Sequence, residues 1–265
     1  MPTAIIDGRC LSYEDTGGDG PAVILGHGFL LDGSVFEHQM AALSPQWRVI
    51  AWDARGHGGT PDAEVPYTYW DHARDALAVM DHLGIEQAVV GGVSQGGFTA
   101  LRTALLAPER VQGLILSDTE ATACHPADKE GYGQMFAALR EHGPIDDLVV
   151  QLSRQILGEH PAADEWRERW RHRSLPLGQA ANCLLERDDV SGRLAEITCP
   201  ALLLWGSEDQ SLPRDRMELL ADRLPGATPV HVIKGAAHTP MLTHAEAANR
   251  VLVDFLSAVP VRVTR

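Results

Sequence analysis

Three residue types that together can split an acyl bond occur at informative places in this chain. Ser94 sits in Gly92-Val93-Ser94-Gln95-Gly96, directly after the apolar run Ala88-Val89-Val90. A serine between glycines two residues to either side, after a strand and before a helix, marks a turn too sharp for side chains at the flanking positions. Such a turn lifts the hydroxyl above a sheet. A hydroxyl is a poor nucleophile at neutral pH and needs a base, which in turn needs a group to orient it. Two later segments supply both: Asp209 in Gly206-Ser207-Glu208-Asp209 after the apolar run Leu202-Leu203-Leu204-Trp205, and His238 in Gly235-Ala236-Ala237-His238. All three follow a strand-like run, and their order is Ser, acid, His. The coincidence is more specific than any one of them.

Each residue also has a plainer reading. A serine in a glycine turn is often structural, and Asp209 could cap a helix beginning near Pro213. Asp118, after Leu114-Ile115-Leu116, is the alternative acid. Among the twelve histidines, His231 lies inside the last strand, His244 at a helix start and His57 in a glycine-rich loop. His27 suits bracing a loop better than reacting. An acyl-transfer site also needs two backbone N–H groups for the developing oxyanion. Gln95, following the nucleophile at a helix start, and Phe29, in His27-Gly28-Phe29 after Val23-Ile24-Leu25, are the candidates.

The elements that must hold these residues alternate. Strands are expected at Arg9 to Glu14, Ala22 to Leu25, Arg48 to Trp52, Ala88 to Gly91, Gly113 to Leu116, Ala201 to Trp205 and Pro229 to Ile233. Helices are expected at Val35 to Leu43, Tyr69 to Leu83, Gly97 to Leu106 and Ala245 to Leu256. Interior runs apolar at every position, alternating with helices, predict a mainly parallel sheet covered on both faces. The first strand or two should form an antiparallel edge, with a hairpin-like turn at Gly17-Gly18-Asp19-Gly20. The alternation stops over residues 121–197, which read as helical and polar. That predicts a core of residues 1–120 and 198–265, with 121–197 inserted as a lid over the strands' carboxyl ends; ordinary crossover helices are the plainer alternative. Phe29, Phe98, Phe136, Trp166, Trp170 and Met241 are candidates for the apolar pocket wall, or for plain core. Arg167, Arg169, Arg171 and Arg173 scatter around a helix axis; one of them facing the pocket would favour a substrate carboxylate.

Bulk properties bound the partners. The 265 residues carry 45% hydrophobic and 22% charged side chains and a formal charge of −14. That balance argues against nucleic acid or an anionic membrane as partner. No run approaches the ~20 apolar residues of a membrane span. Cys10, Cys124, Cys183 and Cys199 have no metal or disulfide spacing, and the N-terminal residues do not read as a signal peptide. A cytoplasmic location with reduced thiols, no metal and no cofactor is expected, and a homodimer is compatible with it.

The stretches His27-Gly28-Phe29-Leu30-Leu31-Asp32-Gly33, Asp53-Ala54-Arg55-Gly56-His57-Gly58, Gly92 to Gly97, Gly206 to Asp209 and Gly235 to His238 resemble the α/β-hydrolase superfamily. The first is most similar to bacterial aryl esterases and their cofactor-free haloperoxidase relatives, the second to 3-oxoadipate enol-lactonases. The resemblance implies an α/β-hydrolase fold with a mainly parallel eight-stranded sheet and a helical lid. It also implies a serine hydrolase acting on a small ester or lactone. Carbon–carbon bond hydrolysis, perhydrolysis or haloperoxidation on the same three residues, or ligand sensing with little turnover, are the alternatives. Serine rather than aspartate in the elbow argues against epoxide hydrolases and haloalkane dehalogenases. One departure stands out: Thr243 and Ala245 occupy positions where relatives often carry Glu and Pro.

Overall fold

A computed structural model describes residues 3–6 and 8–260. Eight strands form one sheet: β1 Thr3–Ile6, β2 Arg9–Asp15, β3 Ala22–Gly26, β4 Arg48–Trp52, β5 Ala88–Val93, β6 Val111–Ser117, β7 Ala201–Gly206 and β8 His231–Ile233. Their order across the sheet is β1-β2-β4-β3-β5-β6-β7-β8. β1 pairs antiparallel with β2, and β2 antiparallel with β4; all other pairs are parallel. The antiparallel edge matches expectation, but its cause does not. The glycine turn after β2 leads into β3, and β4 lies between those two strands, so it is no hairpin. β1 was not anticipated: four residues at an edge, with Ile5 turned to solvent, carry little apolar signal.

The helices are α1 Glu37–Leu43, α2 Tyr69–His82, α3 Gln95–Leu106, α4 Pro126–His142, α5 Asp146–Leu157, α6 Ala162–His172, α7 Gln179–Leu185, α8 Arg214–Arg223, α9 Pro240–Thr243 and α10 Ala245–Ala258. Local chemistry sets several ends. The Thr68 hydroxyl and Asp71 carboxylate form a capping box at α2. Pro126 opens α4, and Gly143, at φ 71°, follows its last residue. The expected helix from Val35 begins as a short 3-10 turn, Gly33–Phe36, because Asp32 caps it through the Ser34 N–H.

Alternate residues of the interior strands feed two apolar layers, and this is why those strands read as unbroken apolar runs. Val23, Leu25, Val49, Val89, Ile115, Leu202 and Leu204 pack with Met40 and Leu43 of α1 and Leu252 and Leu256 of α10. Ile24, Ile50, Val90, Leu114, Leu116 and Leu203 face Val79 and Met80 of α2, Leu101 of α3 and Met217 and Leu220 of α8. Between β6 and β7 the chain makes α4 to α7 and, among the described residues, no strand. This segment is not an independent core. Leu152 and Ile156 of α5 and Trp166 and Trp170 of α6 join the first layer. Phe136 of α4 and Leu184 of α7 join a third cluster with Tyr69 and Phe98.

Candidate active site

Five neighbouring strands, β3, β5, β6, β7 and β8, bring their carboxyl ends side by side. In parallel sheets that edge is where loops converge and ligands bind. The loop after β3 carries Phe29, the turn after β5 Ser94, the residue after β6 Asp118, the loop after β7 Asp209, and the loop after β8 His238.

Ser94 has φ 54° and ψ −114°, a left-handed conformation that a serine adopts only when its surroundings impose it. They do so through backbone contact. Gly26 and Gly92 are paired across β3 and β5. A Cβ on Gly92 or on Gly96 would lie 1.9 Å from the Gly26 carbonyl oxygen. Only bare backbone fits between these strands and the start of α3. The Ser94 N–H donates to Ser117 O at 2.9 Å, and its carbonyl accepts from Thr119 Oγ1 at 2.7 Å. The turn is therefore clamped from both sides.

His238 Nδ1 lies 2.8 Å from Asp209 Oδ2. The other Asp209 oxygen accepts from the N–H groups of Ser211, at 2.7 Å, and Leu212, at 3.2 Å. The carboxylate is thus fixed by its own loop, and it fixes the imidazole with Nδ1 turned away from the cavity that Ser94 and His238 both line. No hydrogen bond joins Ser94 to His238 among the described residues. Asp118 is close by: one ligating atom each from Asp118, Asp209 and His238 fall within 4.8 Å. Burial, and then the Asp209 charge beside it, push the Asp118 pKa well above the usual carboxylate range. Gly206 N–H and Ser117 Oγ donate to it, each at 2.7 Å. Two buried like charges cannot share this space cheaply, which favours the protonated form of Asp118. The Asp209–His238 contact, backbone N–H donors and the Ser117 hydroxyl engage the carboxylate oxygens and Nδ1 of this group.

The Phe29 loop is braced from three directions. Ala54 N–H donates to His27 Nε2 at 3.0 Å, which leaves Nδ1 to donate to Gly28 O at 2.8 Å. The Phe29 ring meets His57 edge-on, with ring centroids 5.1 Å apart. Burial, and then neighbouring His27, hold the His57 pKa down at about 3. Leu30, at φ 67°, gives its carbonyl to Trp170 Nε1 at 2.8 Å. Neither Phe29 N–H nor Gln95 N–H donates to a backbone carbonyl among the described residues. Gln95 begins α3, where the helix dipole is positive.

The cavity above Ser94 has a volume of about 40 Å3. Phe29, Leu30, Phe98, Tyr132, Met135 and Leu184 supply much of its wall, and it opens beside a groove between α4 and α5. Of the six wall candidates from sequence, Phe29 and Phe98 line it. The other four do not. Phe136 is fully buried behind Phe29, ring centroids 5.3 Å apart. Trp166 and Trp170 pack into the first apolar layer, and Met241 is core beneath α9. The arginines of α6 and its end also point elsewhere. Arg167 pairs with Asp164, Arg169 with Glu165 and Asp32, Arg171 with Asp146 and Glu168, and Arg173 with Asp32. The cation that does line the cavity is Arg187. It was not singled out from sequence, because Glu186-Arg187-Asp188-Asp189 reads as a solvated charged run. His231 is exposed, and His244 precedes α10 without a side-chain capping bond. The four cysteines are unpaired.

A family profile described as the alpha/beta hydrolase fold matches residues 21–245. The chain belongs to the α/β-hydrolase fold family. It is 29% identical over 256 residues to a pimeloyl-[acyl-carrier protein] methyl ester esterase of Aeromonas hydrophila, covering 90% of this chain and 96% of that one. Among solved structures, an esterase from Thermogutta terrifontis superposes with a TM-score of 0.87 at 30% identity over 98% of this chain and 99% of that one. An enol-lactonase from Burkholderia xenovorans superposes with a TM-score of 0.86 at 28% identity, over 97% of this chain and the whole of that one. The chain is a hydrolase of this family. No helix of the described residues is long and apolar enough to cross a membrane.

Proposed function

We propose that this hydrolase cleaves a carboxylic ester or lactone through an acyl-enzyme on Ser94. The observation that carries the reading is the 2.8 Å contact of His238 Nδ1 with Asp209, with Ser94 and His238 on the wall of one cavity. Asp209 holds the proton on Nδ1, so Nε2 is the basic atom. His238 Nε2 takes the Ser94 proton as Oγ bonds to the acyl carbon, and the N–H groups of Phe29 and Gln95 stabilise the oxyanion. The imidazolium then protonates the departing alkoxide as the ester C–O bond breaks. Water repeats the sequence on the acyl-enzyme and frees the acid. The nucleophile–base hydrogen bond is commonly looser before substrate binds, which fits its absence here. Asp118 stays neutral and buttresses Asp209. Residues 121–197 act as the lid: α4, α5 and Leu184 of α7 supply part of the cavity wall, and α4 and α5 flank the groove beside it. The similarity to an esterase and an enol-lactonase supports this substrate class.

The test is turnover of p-nitrophenyl acetate and butyrate. Sustained hydrolysis that falls by about 10⁶-fold in Ser94→Ala, with a phosphonate bonded to Ser94 in the wild type by mass spectrometry, is expected. A single burst without turnover, or activity surviving in Ser94→Ala, overturns the reading.

A further inference from the structure

We propose that Arg187 makes the cavity above Ser94 a receptor for a carboxylate carried by the substrate, an inference that rests on the ester-hydrolase reading above. Among the described residues lining the cavity, Arg187 is the one permanently cationic side chain. It follows α7 in sequence, and its side chain is 3% exposed. A guanidinium taken that far from water is costly unless paired and fully hydrogen-bonded.

Its pairing is incomplete. Nη1 donates to Leu184 O at 2.9 Å, Nη2 to Glu120, and the guanidinium lies 4.9 Å from the centroid of the Phe98 ring. Nε has no acceptor. Nor does Arg187 have Glu120 to itself. Arg216 Nη1 donates to the other Glu120 oxygen at 2.7 Å, and Thr122 donates to that oxygen too. Two guanidiniums thus share one buried carboxylate. The nearby Asp209 is committed to His238 and to its own loop.

A half-neutralised cation lining a cavity walled largely by Phe, Leu and Met side chains is what a second carboxylate would satisfy. The apolar surroundings strengthen that attraction by excluding water, and the planar fork suits a carboxylate better than a point charge would. The same guanidinium repels a cationic substrate. A hydrogen bond to a charged group of this kind is worth about 10- to 10²-fold in binding.

The experiment compares kcat/KM for two matched pairs: monomethyl glutarate with methyl hexanoate, and 4-carboxyphenyl acetate with 4-ethylphenyl acetate. The first pair puts the charge on the acyl side, the second on the alcohol side. In at least one pair the anionic ester should be preferred, and Arg187→Met should lower that ratio about 10- to 10²-fold. Arg216 and Thr122 still satisfy Glu120 in that variant. Glu120→Gln removes the internal competitor and should move the ratio the other way. Should Arg187→Met fail to fold, Glu120→Gln decides alone: a raised ratio supports the receptor, an unchanged one overturns it. Turnover of the neutral esters without preference in either pair, or a ratio that neither substitution moves, also overturns it and leaves the hydrolase reading intact. Turnover of none of the four esters by the wild type removes the hydrolase reading, and this inference with it.

Discussion

At the residue scale, two carboxyls beside one imidazole divide the work. Asp209 meets His238 directly, whereas Asp118 is buried, pushed toward its protonated form and supplied with donors from Gly206 and Ser117. Replacing the orienting carboxylate of such a triad by an amide typically costs about 10⁴ in kcat, because it favours the wrong tautomer. Asp209→Asn is therefore expected to lose about that much, measured by p-nitrophenyl ester kinetics. Asp118→Asn should stay within about 10-fold of wild type, since an amide can still accept from Gly206 N–H, and asparagine tolerates φ 46° at that position. The reverse ranking would make Asp118 the orienting acid. Sequence favoured Asp209 and kept Asp118 as the alternative acid; in the structure it is Asp209 that meets the imidazole, 2.8 Å from His238 Nδ1.

Elements matter here through how they clamp loops. Trp170 was expected in the pocket wall and instead reaches from α6 to the Leu30 carbonyl, holding a left-handed residue next to Phe29. Trp170→Phe keeps most of the packing and removes the bond. Phe29 N–H should then be misaligned, and kcat should fall about 10- to 10²-fold with KM little changed. An equal rise in KM would mean the tryptophan acts on binding instead. Helix α4 shows a different use of sequence. Gly131 and Gly133 lie within it, and a Cβ at either would meet nothing within 4 Å. Their cost is conformational freedom alone. Alanine at both positions should stabilise the protein by about 1–2 kcal/mol, read as a raised midpoint in urea. If α4 must bend to open the cavity, the same variant should also take up phosphonate more slowly at Ser94.

For the molecule as a whole, the acid limb of stability follows from buried histidines. Burial depresses the His57 pKa to about 3 from the usual 6.5, and His72, buried among Trp52, Tyr67 and Tyr69, is lowered too. Between those pH values the unfolded chain binds protons that the folded chain refuses, so stability falls as pH drops from about 6.5 toward 3. Chemical denaturation across that range should show the decline. His57→Phe should flatten it, and a variant as steep as wild type would remove His57 as its cause. The formal charge of −14 adds nothing to this argument about fold. It bears on partners, and it misleads about the site, whose cavity is lined by a buried arginine.

What could be read along the chain was local: the sharp Ser94 turn, the alternation of strands with helices, the strand-end placement of Asp209 and His238, and the helical stretch over 121–197. Backbone sterics and side-chain period write these into neighbouring residues. Tertiary structure alone decided that β4 separates β2 from β3, that Trp170 braces Leu30, and that Arg187 rather than any arginine of Arg167 to Arg173 enters the cavity wall. Those outcomes depend on which faces of distant elements meet, and partners 140 or 67 residues apart leave no periodicity in the sequence to announce them.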